Sequence, residues 1–82
     1  MKTKLEIKER LDKAKQENNF FEHILLGFAY EFYDKGVEIG FQNTLSEYSG
    51  LLQILKSREI KDLAGIEICE KFIDIAKWVL EN

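Results

Sequence analysis

Residues 66–80 of the chain read IEICEKFIDIAKWVL, and this stretch decides the fold class. Its apolar residues recur every three or four positions, which is the spacing that places side chains on one face of an α-helix. The apolar half of the helical wheel is formed by Ile66, Ile68, Cys69, Phe72, Ile73, Ile75, Ala76, Val79 and Leu80. The stretch therefore predicts an amphipathic helix that ends near Leu80 and is capped at its start by Ser57 or Asp62.

The same periodicity extends over the rest of the chain, which contains no proline to interrupt a helix. The 82 residues suffice for one domain with a thin core. Hydrophobic residues make up 45% of the chain and charged residues 33%, a composition that excludes a disordered protein. Residues 1–82 are thus predicted to form a single all-α domain, a small antiparallel bundle of three to four helices.

The first helix is predicted to start near Lys4. Thr3 and Glu6 have the spacing of a capping box, in which a hydroxyl and a carboxylate bind each other's free backbone amides. Residues 1–15 carry six basic and three acidic side chains, whereas residues 16–82 carry six basic and twelve acidic ones. The net charge of −3 disfavours nucleic acid as a partner, and the charges of the first helix can pair at four-residue spacing.

The end of the first helix is open between two alternatives. Asn19 and Glu22 repeat the capping spacing, which would start a second helix at Phe20. The apolar residues nevertheless alternate without a gap as far as Phe32, as they would in one long N-terminal helix that carries Asn18 in its seam. We favour a break or kink at the asparagines.

The middle of the chain is predicted to contain a connector and then a helix. Gly36 can adopt the left-handed conformation that closes a helix. Residues 37–43 alternate in polarity over too few positions for an independent sheet, and we interpret them as an ordered connector. Thr44 and Glu47 have the capping-box spacing, so the next helix is predicted to start there and to end near Ser57.

The second helix carries apolar residues on two sides. One apolar arc is formed by Phe21, Ile24, Leu25, Phe28, Ala29 and Phe32. The second arc is formed by Leu26, Tyr30 and Tyr33. Such a helix either lies at the centre of a bundle or buries its second side against another chain. Both alternatives stand. The central position is the simpler one, but the first helix has few apolar residues with which to cover the second arc.

Trp78 interrupts the polar face of the last helix. It stands beside Lys71 and Asp74, where a solvated face normally carries no indole. Tryptophan is frequent among residues that dominate binding energy, although its ring can also fold over the helix edge onto the core. We interpret the following four residues as the partner-binding set: Leu26, Tyr30, Tyr33 and Trp78.

The run His23-Ile24-Leu25-Leu26-Gly27-Phe28-Ala29 resembles the His-x-Leu-Lys-Gly-x-Ala signature of histidine-containing phosphotransfer domains, which are helical bundles. The resemblance covers about seven residues and implies that His23 accepts a phosphoryl group while Gly27 leaves room for a receiver domain. It departs from the family at Leu26, where the family has the lysine expected to steady the phosphoryl charge. Asp34 would repel that charge.

Other chemistry is not expected. The chain contains no Gly-x-Ser-x-Gly turn and no glycine-rich phosphate loop, and its one histidine and one cysteine do not stand at metal-ligand spacing. We therefore predict no catalytic residue, metal, cofactor or small-molecule substrate. No apolar run is long enough to span a membrane, and the N-terminus is charged where a signal peptide is apolar, so the predicted location is the cytoplasm.

The sequence as a whole favours a non-catalytic helical module that binds another protein as a regulator, adaptor or inhibitor, with a homodimer as the expected state. The first alternative is a phosphotransfer-like protein that uses His23. A further alternative is an inhibitor of the immunity type or one encoded by a phage, since such proteins are similar in size and helical character.

Overall fold

The computed structural model describes residues 1–81 of the chain. These residues form four α-helices, α1 (Lys4–Gln16), α2 (Phe20–Glu31), α3 (Val37–Ser57) and α4 (Leu63–Leu80), with a 3-10 turn at Tyr33–Lys35. The helices α1 and α2 form one hairpin and α3 and α4 another, and α2 also packs against α4. The small all-α bundle predicted from the periodicity is confirmed.

The break between α1 and α2 has two local causes. Asn18 has a φ of 55°, a left-handed conformation that asparagine adopts more readily than most residues. The side chain of Asn19 then accepts a hydrogen bond from the backbone N–H of Glu22 at 3.4 Å, as an N-cap does. The favoured break is confirmed, and one continuous helix through the asparagines is excluded.

The prediction of a connector at residues 37–43 is wrong. Gly36, at a φ of 84°, turns the chain, and α3 begins at the next residue, Val37. Val37 and Phe41 are buried because they extend the apolar face of α3 by one more turn. Thr44, which was expected to cap this helix, therefore lies inside it. Seven residues are too few to distinguish the period of a strand from that of a helix.

Helix α4 agrees closely with the sequence. Asp62, rather than Ser57, is its N-cap, because one carboxylate oxygen of Asp62 accepts a hydrogen bond from the backbone N–H of Gly65 at 3.0 Å. The buried residues of α4 are Ile66, Cys69, Ile73, Ile75, Ala76 and Val79. No helix within residues 1–81 combines the length and apolarity needed to cross a membrane.

The core consists of two clusters. The larger one is centred on Ile7, Leu26 and Val79, which are buried completely where α1, α2 and α4 meet. It is completed by Leu11, Ala14, Ala29, Val37, Phe41, Ile75 and Ala76. The smaller cluster lies between α3 and α4 and contains Leu55, Ile66 and the free thiol of Cys69. Helix α4 contributes to both clusters and therefore joins the two hairpins.

Candidate functional site

The second apolar arc of α2 faces the interior of the molecule. Leu26 belongs to the larger core cluster and has no exposed surface, so its prediction as a partner-binding residue is wrong. Tyr30 and Tyr33 are half-buried against the same cluster. The Tyr33 hydroxyl donates a hydrogen bond to the backbone carbonyl of Lys2 at 2.9 Å. The ammonium groups of two α1 lysines lie 5.0 and 5.6 Å from the Tyr30 ring centroid.

The indole of Trp78 is held by groups of its own chain. The Arg10 guanidinium lies 4.6 Å from the ring centroid, and the Lys2 ammonium lies 5.2 Å from it. Arg10 also forms an ion pair with Glu22 at 2.7 Å, which fixes the guanidinium between α2 and α4. The ring folds onto the scaffold, as in the alternative considered for it. Partner binding by Trp78 and the two tyrosines stays a prediction, and it would require these contacts to move.

The opposite side of α2 is exposed instead. Phe20, Ile24 and Phe28 follow one another at successive turns and are 66%, 51% and 55% exposed. We call these three residues the α2 ridge. Ile24 and Phe28 belong to the first of the two apolar arcs that the sequence shows on this helix. The same arc also contributes to the core, since Ala29 is fully buried in the larger cluster and Leu25 packs against that cluster.

An apolar groove of about 370 Å³ lies between the ridge and α3, because α2 and α3 each pack on α4 but diverge from one another. Ile24 and Phe28 form one wall of this α2–α3 groove, and Gly40 and Thr44 form the other. Its floor is formed by Leu25, Val37, Phe41, Tyr48 and Phe72. Such a concave apolar surface is typical of binding sites in proteins.

Aromatic contacts make the floor of the groove firm. The ring of Phe72 stacks on that of Tyr48, with centroids 5.0 Å apart and planes 12° apart. The ring of Phe72 also meets that of Phe21 edge to face, with centroids 5.9 Å apart. Such pairs add roughly 0.5–1.5 kcal/mol beyond the area that they bury. The groove is therefore largely preformed.

Gly40 has no structural reason to be glycine. Within residues 1–81, a Cβ atom at this position would meet nothing within 4 Å apart from its chain neighbours and the adjacent backbone of its own helix, and the residue lies inside α3 with an ordinary helical backbone. Glycine inside a helix destabilises it by roughly 0.5–1 kcal/mol relative to alanine. At Gly40 no side chain covers the α3 backbone in the wall of the groove, so another molecule can approach the backbone closely there. The sequence does not single out this position, because the alternation of residues 37–43 predicted a connector and not a helix.

His23 lies in the first turn of α2 and is exposed. It lines a shallow hollow on the other side of the ridge, together with Lys15 and Leu11 from α1 and Gly27 and Glu31 from α2. The family signature that the run resembles has a lysine at the position of Leu26, which is buried here. Lys15 brings an ammonium group to the same hollow from the neighbouring helix.

The chain has few groups for metal chemistry. Among residues 1–81, no three His, Cys, Asp or Glu side chains are grouped so that they could hold a metal ion. Comparisons with protein-family models, curated proteins and solved structures found no match for this chain. The candidate functional site is therefore defined by its geometry, which consists of the α2 ridge and the α2–α3 groove.

Proposed function

We propose that the chain is a non-catalytic helical module that acts by binding a protein chain at the α2 ridge and the α2–α3 groove, as a regulator, adaptor or inhibitor does. The observation that supports this proposal is the exposure of Phe20, Ile24 and Phe28 directly beside an apolar groove. Contiguous apolar surface of this kind is typical of protein–protein contacts.

A protein fits this surface better than a small molecule does. A compact ligand inside the groove would contact only the inner side of Ile24 and Phe28 and would leave Phe20 in water. A protein surface can cover the ridge and fill the groove together. The part of α3 that lines the groove from Gly40 to Tyr48 spans about 12 Å at the rise of an α-helix, which is enough for two turns of a docked helix.

The test is site-specific photocrosslinking in cells that express the chain at its natural level. A photoreactive phenylalanine analogue replaces Phe28, and the control carries the same analogue in place of Lys77, which is exposed on α4. We expect a discrete protein adduct from position 28 and none from position 77. Absence of any protein adduct from position 28, or the same adducts from both positions, would contradict the proposed function.

Phosphotransfer through His23 is a second candidate, and the presence of Lys15 in the same hollow favours it. An ammonium beside the imidazole can balance the charge of a phosphoryl group, as the missing lysine of the signature would. A phosphorylated receiver domain should then transfer an acid-labile phosphate to the chain but not to the His23→Gln variant. If the wild-type chain remains unlabelled across a panel of receivers, this candidate is rejected.

A further inference from the structure

We infer that the occupant of the α2–α3 groove is the α2 ridge of a second copy of this chain, in a dimer with two-fold symmetry. This inference rests on the proposed function, since it names the partner of the same surface. Four observations support it, and they concern the shape of the surface, the area that the chain exposes, the glycine in the groove wall and the order of charges across the face.

The surface is self-complementary in shape. Ile24 and Phe28 line the α2–α3 groove on one side and the hollow beside α1 on the other, so they stand between two depressions. A two-fold axis parallel to α2 reverses the order of features across the face. Each ridge then enters the groove of the other copy, and the contact closes on itself with no groove left open.

The exposed area of one chain is large for its size. The accessible surface is 5620 Å², whereas a monomer of 9.6 kDa typically exposes about 5,100 Å². The difference between the two areas accompanies a flattened shape of the molecule, with extents of 43 × 28 × 18 Å. It is of the same order as the roughly 800 Å² that each partner buries in a standard interface. Pairing of two flat faces would remove it.

Gly40 suits the close approach of two helices. Its missing side chain leaves the α3 wall of the groove at backbone height. The ridge residues Ile24 and Phe28 of a second copy can therefore enter deeply enough to contact the aromatic floor. Gly50, also in α3, has equally open surroundings, so Gly40 is distinguished by its place in the wall of the groove.

Two unpaired charges lie where the symmetry would bring them together. Lys15 lines the hollow beside the ridge, and Glu47 is exposed on α3, two turns beyond Gly40 on the same side of that helix. Within residues 1–81 neither side chain forms an ion pair with its own chain. The order across the face is thus Lys15, ridge, groove, Glu47.

The two charges also lie at the same height along the helices. Phe72 contacts both Phe21 and Tyr48, so the start of α2 is level with the middle of α3. Lys15 lies beside the start of α2, and Glu47 precedes Tyr48. A two-fold axis parallel to α2 reverses the order of features across the face but keeps their height along the helices. Lys15 of each copy therefore lies opposite the partner's Glu47, and the dimer contains this contact twice.

The first test is the oligomeric state, measured by sedimentation velocity on the purified chain from low to high micromolar concentration. We expect a monomer–dimer equilibrium in which Phe28→Asp raises the dissociation constant by at least about 100-fold. Ile24→Asp provides a second variant with the same expected direction. Leu5→Asp is the control, because Leu5 is exposed at 67%, more than Ile24 or Phe28, but lies outside the surface. Circular dichroism establishes that each variant is folded. A chain that stays monomeric throughout, or equal effects of all three variants, would overturn the inference.

The second test examines the orientation of the two copies. Lys15→Glu and Glu47→Lys should each raise the dissociation constant by about tenfold, since each puts like charges together at two symmetric contacts. The double variant should return to within about threefold of the wild type, because both contacts are restored with reversed sign. Simple addition of the two single effects would reject this dimer geometry.

Failure of this inference can be distinguished from failure of the proposed function. A monomeric purified chain that still gives a crosslinked adduct with a different protein from position 28 rejects the dimer but supports the proposed function. Absence of all protein adducts from position 28 in cells rejects both.

Discussion

Leu26 and Phe28 are two residues apart in α2 and have opposite surroundings. Leu26 is enclosed completely between α1 and α4, whereas Phe28 is more than half exposed. The two positions differ by about 200° on the helical wheel. The assignment of a whole apolar arc to the core or to the surface therefore depends on which way α2 is turned. A pair of alanine substitutions measures that orientation directly.

We predict that Leu26→Ala lowers the free energy of unfolding by about 2–5 kcal/mol, because it leaves a cavity in the core. Phe28→Ala should change it by less than about 1 kcal/mol when both are measured on the monomer. The appropriate measurement is urea denaturation at protein concentrations below the dissociation constant of the dimer. A larger loss for Phe28→Ala than for Leu26→Ala would mean that α2 is turned the other way.

At the level of single elements, α1 depends on its N-terminal capping box. The backbone N–H of Thr3 donates a hydrogen bond to the Glu6 carboxylate at 3.2 Å, and the Thr3 hydroxyl donates another at 3.0 Å. These two hydrogen bonds, the backbone one first, lower the pKa of Glu6 below its ordinary value. A carboxyl whose pKa is lowered by folding stabilises the folded state above the pKa of the unfolded chain. That stabilisation is lost as the pH falls through the lower, folded value.

We therefore predict that Glu6→Gln melts at a lower temperature than the wild type at neutral pH. The difference should shrink as the pH falls through the lowered pKa of Glu6 and vanish well below it, where the wild-type carboxyl is also neutral. Thermal melts followed by circular dichroism across this pH range measure the effect. Glu9→Gln, which removes a charge from α1 outside the cap, serves as the control. A difference between wild type and Glu6→Gln that persists unchanged into acid would show that the hydrogen bonds of the cap do not depend on the charge.

For the molecule as a whole, the sequence predicts the elements better than their orientation. The capping residues Thr3 and Asn19 and the periodicity of α4 depend on local hydrogen bonds and spacing, which a sequence displays directly. The start of α3 at Val37 is less evident, because Gly36 both ends one turn and opens the next helix. The side that α2 presents to the core depends on where α1 and α4 dock, and this is a property of the assembled fold.

The residues of the candidate site are also visible in the sequence, but their exposure is not. Ile24 and Phe28 stand out in the sequence as part of an apolar arc, but both arcs of α2 are apolar enough to be a core. Ala29 stands in the same arc as Ile24 and Phe28 but is buried, so this arc spans core and surface, and the sequence does not show where the boundary falls. Gly40 becomes informative only when α3 is known to pass through it.

The groove also connects stability with binding at the scale of the whole molecule. We predict that Gly40→Ala stabilises the monomer by about 0.5–1 kcal/mol, since the added methyl group meets open space and alanine favours the helix. The same methyl group should weaken association at the groove, because it raises the wall that the partner must approach. Urea denaturation and sedimentation of the same variant measure the two effects. A variant that is stabilised while it associates as tightly as the wild type would show that the partner does not approach this wall.

The burial of Cys69 gives the molecule a reporter of its own motions. It is the one cysteine in the sequence, and its thiol is enclosed between α3 and α4. A thiol reagent can reach it only when that end of the hairpin separates, so the rate of modification at a saturating reagent concentration measures how often the two helices open. The wild-type chain can therefore report, without any engineered label, whether occupation of the groove slows the opening of α3 and α4.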